Sequence, residues 1–289
     1  MTTEQKEQIR VRLETYVRRY PSQNKAANSL KGISSGTVSS ILNRKWELIS
    51  DEMWMKLSSQ LLASSEWQIC RTKAFDDLMV LFSDAREDGM VMWIIGPAGI
   101  GKSAAAEVFG AENRSVFILS CTEKMTNRSF IHELAAKVGV KSGGMNIQEA
   151  EQAIVKAIVT MEKPLLIFDE GDKLKDNVLS NYVTLYNALE NKCGMVFLST
   201  DSIENRMLKG VNKGKRGYDE LHSRIGRKFI PLSLVDSNEI EAICIANGLS
   251  DKFSIRTVQE EASECRNDLR RVRRSVYKEL KELSLKSGK

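Results

Sequence analysis

The segment Gly96-Pro97-Ala98-Gly99-Ile100-Gly101-Lys102-Ser103 matches the pattern GxxxxGK[ST] in full. These residue types at this spacing serve one chemistry, the cradling of a polyphosphate. Glycines let backbone N–H groups curl around phosphate oxygens, and the N-terminus of a following helix adds its positive end. The apolar run Val-Met-Trp-Ile-Ile before the loop reads as a strand, and Ser-Ala-Ala-Ala-Glu-Val-Phe after it reads as a helix, with Ala104 in its first turn. The pattern therefore stands in the strand-loop-helix context it requires. Lys102 is placed to reach the β and γ phosphates of ATP, and Ser103 to ligate Mg²⁺.

A second chemical feature follows about 65 residues later. Pro164-Leu165-Leu166-Ile167-Phe168-Asp169-Glu170 is an apolar strand ending in two adjacent carboxylates. Asp169 is placed to hold the Mg²⁺ shell, and Glu170 to polarise a water for in-line attack on the γ-phosphate. Acidic residues at a strand end also serve as ordinary helix caps, but the glycine-rich loop makes the catalytic reading the stronger one.

Both features need a sheet to hold them. Brief β-branched or aromatic runs at 90–95, 115–119, 165–168, 195–198 and 228–232 fit strands buried on both faces. Helical stretches lie between them at about 103–109, 129–138, 147–162 and 178–190. Such alternation predicts an α/β domain with a parallel five-stranded sheet and right-handed crossovers. Beyond Ser233 the pattern is helical only, at about 237–247, 254–264 and 267–284.

The first 64 residues have a different texture. An amphipathic helix with Ile9, Leu13, Tyr16 and Val17 on one stripe is ended by Pro21, and a second runs from Gln23 to about Leu30. After the turn Lys31-Gly32-Ile33-Ser34, a third helix from Ser35 to about Asn43 places Val38, Ile41 and Leu42 inward. Thr37, Ser39, Ser40 and Asn43 then face outward, followed by Arg44 and Lys45. This is a helix-turn-helix pattern, with short hydrogen-bonding side chains suited to the major groove and cations suited to phosphate. Small helical bundles that never touch DNA share the spacing. A fourth helix, Asp51 to Leu62, closes the domain, and Ala63-Ser64-Ser65 reads as the linker. The expected domains are thus 1–64, 65–232 and 233–289.

Composition narrows the function further. With 42% hydrophobic and 28% charged residues and four prolines, a largely disordered or fibrous chain is excluded. The five cysteines form no CxxC pair and the two histidines are far apart, which argues against disulfide frameworks, structural zinc and Ser-His-Asp hydrolysis. No run is apolar and long enough to span a membrane, and Met1 to Glu14 lacks the core of a secretory signal, so a cytoplasmic protein is expected. The net charge of +5 is unevenly spread: segments 1–50, 205–228 and 266–289 together carry +17, leaving −12 for the remainder. Segregation of this kind suits a polyanion-binding surface, although solvated helix faces also look this way. The run Lys209-Gly210-Val211-Asn212-Lys213-Gly214-Lys215-Arg216-Gly217 reads as a basic, glycine-rich loop. Lys209, Lys213, Lys215 and Arg216 are its candidate phosphate contacts.

At this level of detail the chain resembles the AAA+ ATPases. Asp169-Glu170, with the glutamate as base, is the Walker B form of that family. The resemblance assigns further roles in chain order: Thr200, ending the strand MVFLST, as the polar sensor of the γ-phosphate or attacking water, and Arg224 or Arg227 as the arginine finger reaching a neighbouring subunit's nucleotide. Arg270, in Asn267-Asp268-Leu269-Arg270 at the start of a C-terminal helix, is similar to the lid arginine over the γ-phosphate. Each has a plainer alternative, as a strand-end cap, a surface ion pair and part of a basic helix face. A finger supplied in trans implies that hydrolysis requires assembly.

Within the AAA+ class the chain is similar, over nearly its whole length, to the transposition helper ATPases, the family of the phage Mu B protein and its TnsC and IstB relatives. The segments SSGTVSSILN, GPAGIGKS, LLIFDEGDKL, GMVFLST and SRI carry the resemblance. Gly171 stands where the family commonly has Ala, Ser103 replaces Thr, and Asn-Asp replaces a Gly-led opening before Arg270. The resemblance implies a homo-oligomer, filament or ring, on double-stranded DNA with ATP between subunits. It also implies largely sequence-independent binding and the activation of a cognate transposase at target DNA. A nucleotide-switched helix-turn-helix regulator and a replication-initiator-like loader are the alternatives, and the intact Glu170 speaks against a mere switch.

Overall fold

A computed structural model of the chain describes residues 1, 3–17, 20, 22–47, 49–64 and 67–286. It contains two compact units, Met1–Gln68 with Leu280–Lys289, and Ile69–Glu279.

In the first unit α1 (Thr3–Val17), α2 (Gln23–Ser29), α3 (Ser35–Leu42) and α4 (Asp51–Ser64) surround a small core. Leu13, Ala26, Val38, Ile41, Trp54 and Leu57 are fully or almost fully buried in it. Gly32, at φ +68°, makes the turn after α2, and the Ser34 hydroxyl starts α3 by accepting the Thr37 N–H at 3.1 Å. Pro21, expected to end the first helix, lies outside the described residues, as does Ser65. Ala63 and Ser64, read as linker, are instead the last two residues of α4.

The second unit opens with α5 (Lys73–Asp88), capped by the Thr72 hydroxyl and closed by Gly89 in the left-handed region. The sequence reading did not anticipate this helix. Then follow β1 (Val91–Ile95), α6 (Lys102–Glu112), β2 (Val116–Ser120), α7 (Asn127–Val138), α8 (Ile147–Ile158) and β3 (Leu165–Asp169). A 3-10 turn, Gly171–Lys173, leads to α9 (Asp176–Leu189), β4 (Gly194–Ser199), α10 (Ser202–Asn212), α11 (Tyr218–Arg224) and β5 (Ile230–Pro231). The strands form one sheet in the order β2-β3-β4-β1-β5, parallel throughout. The expected five-stranded parallel sheet is therefore present. β5 is shorter than the expected 228–232, and α8 stops at Ile158, where turn hydrogen bonds at Thr160 and Met161 replace the helical ladder.

Period-2 alternation sends neighbouring strand residues to opposite faces, so the sheet buries both. On one face α7 to α11 pack over Trp93, Phe168 and Phe197. These rings sit in register on β1, β3 and β4, with centroids 4.4 Å apart for Trp93–Phe197 and 4.7 Å for Phe197–Phe168. On the other face lie α5 and α6, whose Phe82 and Phe109 rings are 5.4 Å apart. The register places the C-terminal ends of β1, β3 and β4 side by side, and the two chemical motifs leave the sheet there. The unit is completed by α12 (Ser237–Ala246), α13 (Lys252–Glu264) and α14 (Leu269–Lys286) as far as Glu279, the rest of α14 belonging to the first unit.

Candidate nucleotide site

The loop after β1 is pinned at its start by the Gly96 N–H, which donates to the Ser199 carbonyl at 3.1 Å. Gly99 and Gly101 hold φ of +79° and +100°, a region that residues with a Cβ rarely enter. The chain then turns directly into α6, aiming that helix's free N–H groups back at the loop. The Lys102 ammonium donates to the carbonyls of Gly96 at 2.6 Å and Pro97 at 2.9 Å. Burial pushes its pKa below the usual lysine value, partly offset by the nearby Asp169, Asp172 and Asp201.

One strand away across β4, Asp169 is buried at the end of β3. Its Oδ2 accepts the Ser103 hydroxyl at 2.6 Å, joining loop and strand end directly. Its Oδ1 accepts the Glu170 N–H at 3.0 Å. Glu170 itself sits at φ +57° and its Oε2 accepts the Lys173 ammonium at 2.6 Å, a bond that raises the Lys173 pKa. Thr200, just past β4, donates its hydroxyl to Asp172 Oδ2 at 2.7 Å. The loop, the two carboxylates and Thr200 are thus gathered at neighbouring strand ends.

From the C-terminal side the start of α14 meets the loop: the Leu269 N–H donates to the Gly99 carbonyl at 3.0 Å. Arg270 is exposed in the first turn of α14, near enough to Lys102 for its charge to help lower that lysine's pKa. Arg224 ends α11, with its guanidinium 5.0 Å over the Tyr186 ring and 3.6 Å from Glu220. Arg227, at φ +55°, pairs with Asp219 at 2.9 Å.

The basic run 209–217 is not a single loop. Lys209 to Asn212 belong to α10, and the Lys215 N–H bonds back to the Gly210 carbonyl at 2.9 Å while the Gly214 N–H bonds to Val211 at the same distance. This is the hydrogen-bond pattern of a Schellman helix end, with Gly214 at the left-handed position. Gly210 is tolerated inside the helix because the Tyr218 ring packs on it; a Cβ there would stand 2.1 Å from Tyr218 Cδ1. Lys209, Lys213 and Arg216 are exposed, and Lys215 pairs with Asp176.

In the first unit Val38 and Ile41 of α3 are buried as expected, and Asn43 to Lys45 are exposed, with Thr37, Ser39 and Ser40 partly so. Several of these side chains are engaged locally. The Asn43 amide donates to the Ser39 carbonyl at 2.9 Å, Thr37 and Ser34 share a hydroxyl contact of 2.9 Å, and Arg44 donates to Glu7 at 2.8 Å. Sequence reasoning missed Lys173, Asp172, Arg206, Asp176 and Asp268. Only Asp172, two residues past Glu170, carried a positional signal.

The fold is that of an AAA-type P-loop NTPase, with β4 seated between the strand bearing the loop and the strand bearing the carboxylates. Residues 85–207 match the family described as AAA domain. Over 262 residues the chain is 21% identical to the ATP-dependent target DNA activator B of Escherichia phage Mu, covering 88% of this chain and 82% of that protein, and the same protein of Escherichia phage D108 matches equally. The resemblance read from the motifs is therefore present across most of the chain. Among solved structures, NtrX from Brucella abortus aligns with a TM-score of 0.49 at 12% identity, covering 92% of this chain and 65% of that one. Its complex with ATP gives 0.48 at 13%, covering 86% and 59%, so the chain spans less than two thirds of the NtrX chains. Among the described residues no helix is long and apolar enough to cross a membrane.

Proposed function

We propose that this chain is an ATP-dependent DNA-binding protein that assembles on duplex DNA of any sequence, marks it as a transposition target and activates a cognate transposase. The observation that carries the reading is the similarity, over 88% of the chain, to two proteins named as ATP-dependent target DNA activators. The nucleotide motifs are intact within it.

The proposed chemistry follows from the geometry. N–H groups of Ala98 to Ala104 cradle the phosphates, and the Lys102 ammonium exchanges its two carbonyl partners for the β and γ oxygens. Ser103 and Asp169 present hard oxygen donors 2.6 Å from each other, a pair that fits Mg²⁺ with phosphate and water completing its shell. When bound, the cation neutralises phosphate charge. Glu170, once off Lys173, accepts the proton of the attacking water, and Thr200 orients that water or the γ-phosphate. Arg270 covers the γ-phosphate from the helical lid, taken as 233–289, and Arg224 or Arg227 serves the neighbouring subunit's nucleotide.

DNA contacts are assigned to Lys209, Lys213, Lys215 and Arg216, with Thr37, Ser39, Ser40, Asn43, Arg44 and Lys45 of the N-terminal domain as a second surface. Each neutralised phosphate releases counterions, so affinity should fall steeply with salt. Binding to random-sequence duplex DNA with ATP, ADP or no nucleotide, followed by electron microscopy, tests the proposal. ATP-dependent filaments or rings indifferent to sequence are expected. Nucleotide-independent binding of a monomer or dimer to one preferred site would overturn it in favour of a helix-turn-helix regulator.

A further inference from the structure

Away from the phosphate loop, one carboxylate collects donors from two other helices and the turn between them. Asp176, opening α9, accepts Arg206 Nη2 and the Tyr218 hydroxyl on Oδ1, the latter at 2.6 Å, and the Lys215 ammonium on Oδ2. Burial pushes the Asp176 carboxyl up, but the bonds from Lys215, Tyr218 and Arg206 outweigh it and hold the group well below the usual carboxylate range. Lys215 also lies 5.3 Å over the Tyr218 ring, whose approach to α10 requires Gly210.

Arg206 carries the connection inward. Its Nε donates to the Tyr218 oxygen at 3.2 Å and its Nη1 to the Asp172 carbonyl at 3.1 Å. The Asp172 side chain accepts the hydroxyls of Thr200 at 2.7 Å and Ser202 at 3.4 Å. A continuous path therefore runs from Lys215, half exposed at the surface, through Asp176, Arg206 and Asp172 to Thr200 at the strand ends. Lys215 is the one member of the path assigned to DNA, and a phosphodiester competes with Asp176 for its ammonium. When the ammonium leaves, the whole charge of Asp176 falls on Arg206 and Tyr218, and the pull on Asp172 changes.

We infer that Asp176 and Arg206 are positioning residues that transmit the occupancy of Lys215 by a DNA phosphate to Asp172 and Thr200, so that DNA sets the rate of ATP hydrolysis. The inference rests on the proposed assignment of Lys215 to DNA.

The test is kcat and KM for ATP, with and without saturating random duplex, together with DNA affinity, for wild type, Asp176→Asn, Arg206→Gln and Tyr218→Phe. Wild type should respond to DNA. In Asp176→Asn and Arg206→Gln the ratio of kcat with DNA to kcat without should fall within about twofold of unity, while KM and DNA affinity stay within about threefold of wild type. Tyr218→Phe removes one hydroxyl and no charge, and should give an intermediate ratio with the same affinities. A wild-type ratio in both Asp176→Asn and Tyr218→Phe would overturn the inference, as would a ratio that falls only in step with DNA affinity. A wild-type enzyme that binds DNA without any change in rate would overturn it too. A wild-type enzyme that fails to bind duplex DNA sinks the proposed function itself, which separates the two failures.

Discussion

The backbone N–H of Leu269 donates to the carbonyl of Gly99 at 3.0 Å, tying the first turn of α14 to the middle of the phosphate loop. Asp268, just before that helix, caps it by accepting the Arg270 N–H at 2.8 Å. Its carboxylate lies so close to the loop that a Cβ on Gly99 would stand 2.0 Å from Oδ1. A negative charge beside a loop shaped for polyphosphate opposes the ligand, and Arg270 next to it has the opposite sign.

Asp268→Asn keeps a capping oxygen and removes the charge. ATP affinity should rise about fivefold, roughly 1 kcal/mol for a screened charge near the phosphates, with an unchanged melting temperature. Titration calorimetry checks the affinity, and a dissociation constant equal to wild type would mean that the carboxylate moves aside when ATP binds.

Lys102 gives the site a pH dependence. Its pKa is lowered by burial, and only the ammonium binds phosphate, so ATP affinity should begin to fall at a lower pH than an ordinary lysine dictates. The nucleotide-free fold should respond with the opposite sign. A lysine with a lower pKa folded than unfolded binds fewer protons in the native state, so stability rises as pH passes through that window. Affinity and thermal melting followed from neutral to alkaline pH check both signs, and Lys102→Ala should abolish ATP binding at every pH.

Glu170→Gln should bind ATP like wild type and lose about 10²- to 10⁴-fold in turnover, the usual contribution of a general base. Rapid-quench measurement of ADP formation checks this. Turnover within a few-fold of wild type would move the base elsewhere.

Arg224 is half-buried over Tyr186, whereas Arg227 is 54% exposed and pairs with Asp219. Arg224→Ala should retain ATP binding and lose about 10³-fold in the turnover of the DNA-bound assembly, the scale of an arginine finger. If turnover persists there and falls in Arg227→Ala, the role belongs to Arg227.

Gly171→Ala brings in the residue common in the family but should destabilise this chain. The new Cβ would stand 2.9 Å from Phe197 Cδ1, and Phe197 is stacked between Trp93 and Phe168 and flanked by Tyr182 at 4.7 Å. Overpacking of that kind costs about 1–3 kcal/mol. Thermal unfolding of wild type and variant would reveal it, and equal midpoints would show that the aromatic ladder yields.

The sequence by itself determined what depends on neighbours along the chain. The phosphate loop needs glycines where φ is positive at Gly99 and Gly101, and each buried strand needs a short apolar run, so both are written locally. The same holds for Val38 and Ile41, whose spacing put them in the core of the first unit. Local signals misled where one side chain from elsewhere changed the outcome. Glycines 210, 214 and 217 argued for a loop, yet the Tyr218 ring on Gly210 stabilises a helix through Asn212. Only the tertiary structure decided that Thr200 bonds Asp172, that Arg206 and Lys215 share Asp176, and that Asp268 rests on Gly99. The Thr200, Arg206 and Lys215 partners lie 28, 30 and 39 positions apart, and a charged or hydroxyl side chain has no preference for a distant partner until the sheet and its helices bring the two within hydrogen-bonding reach.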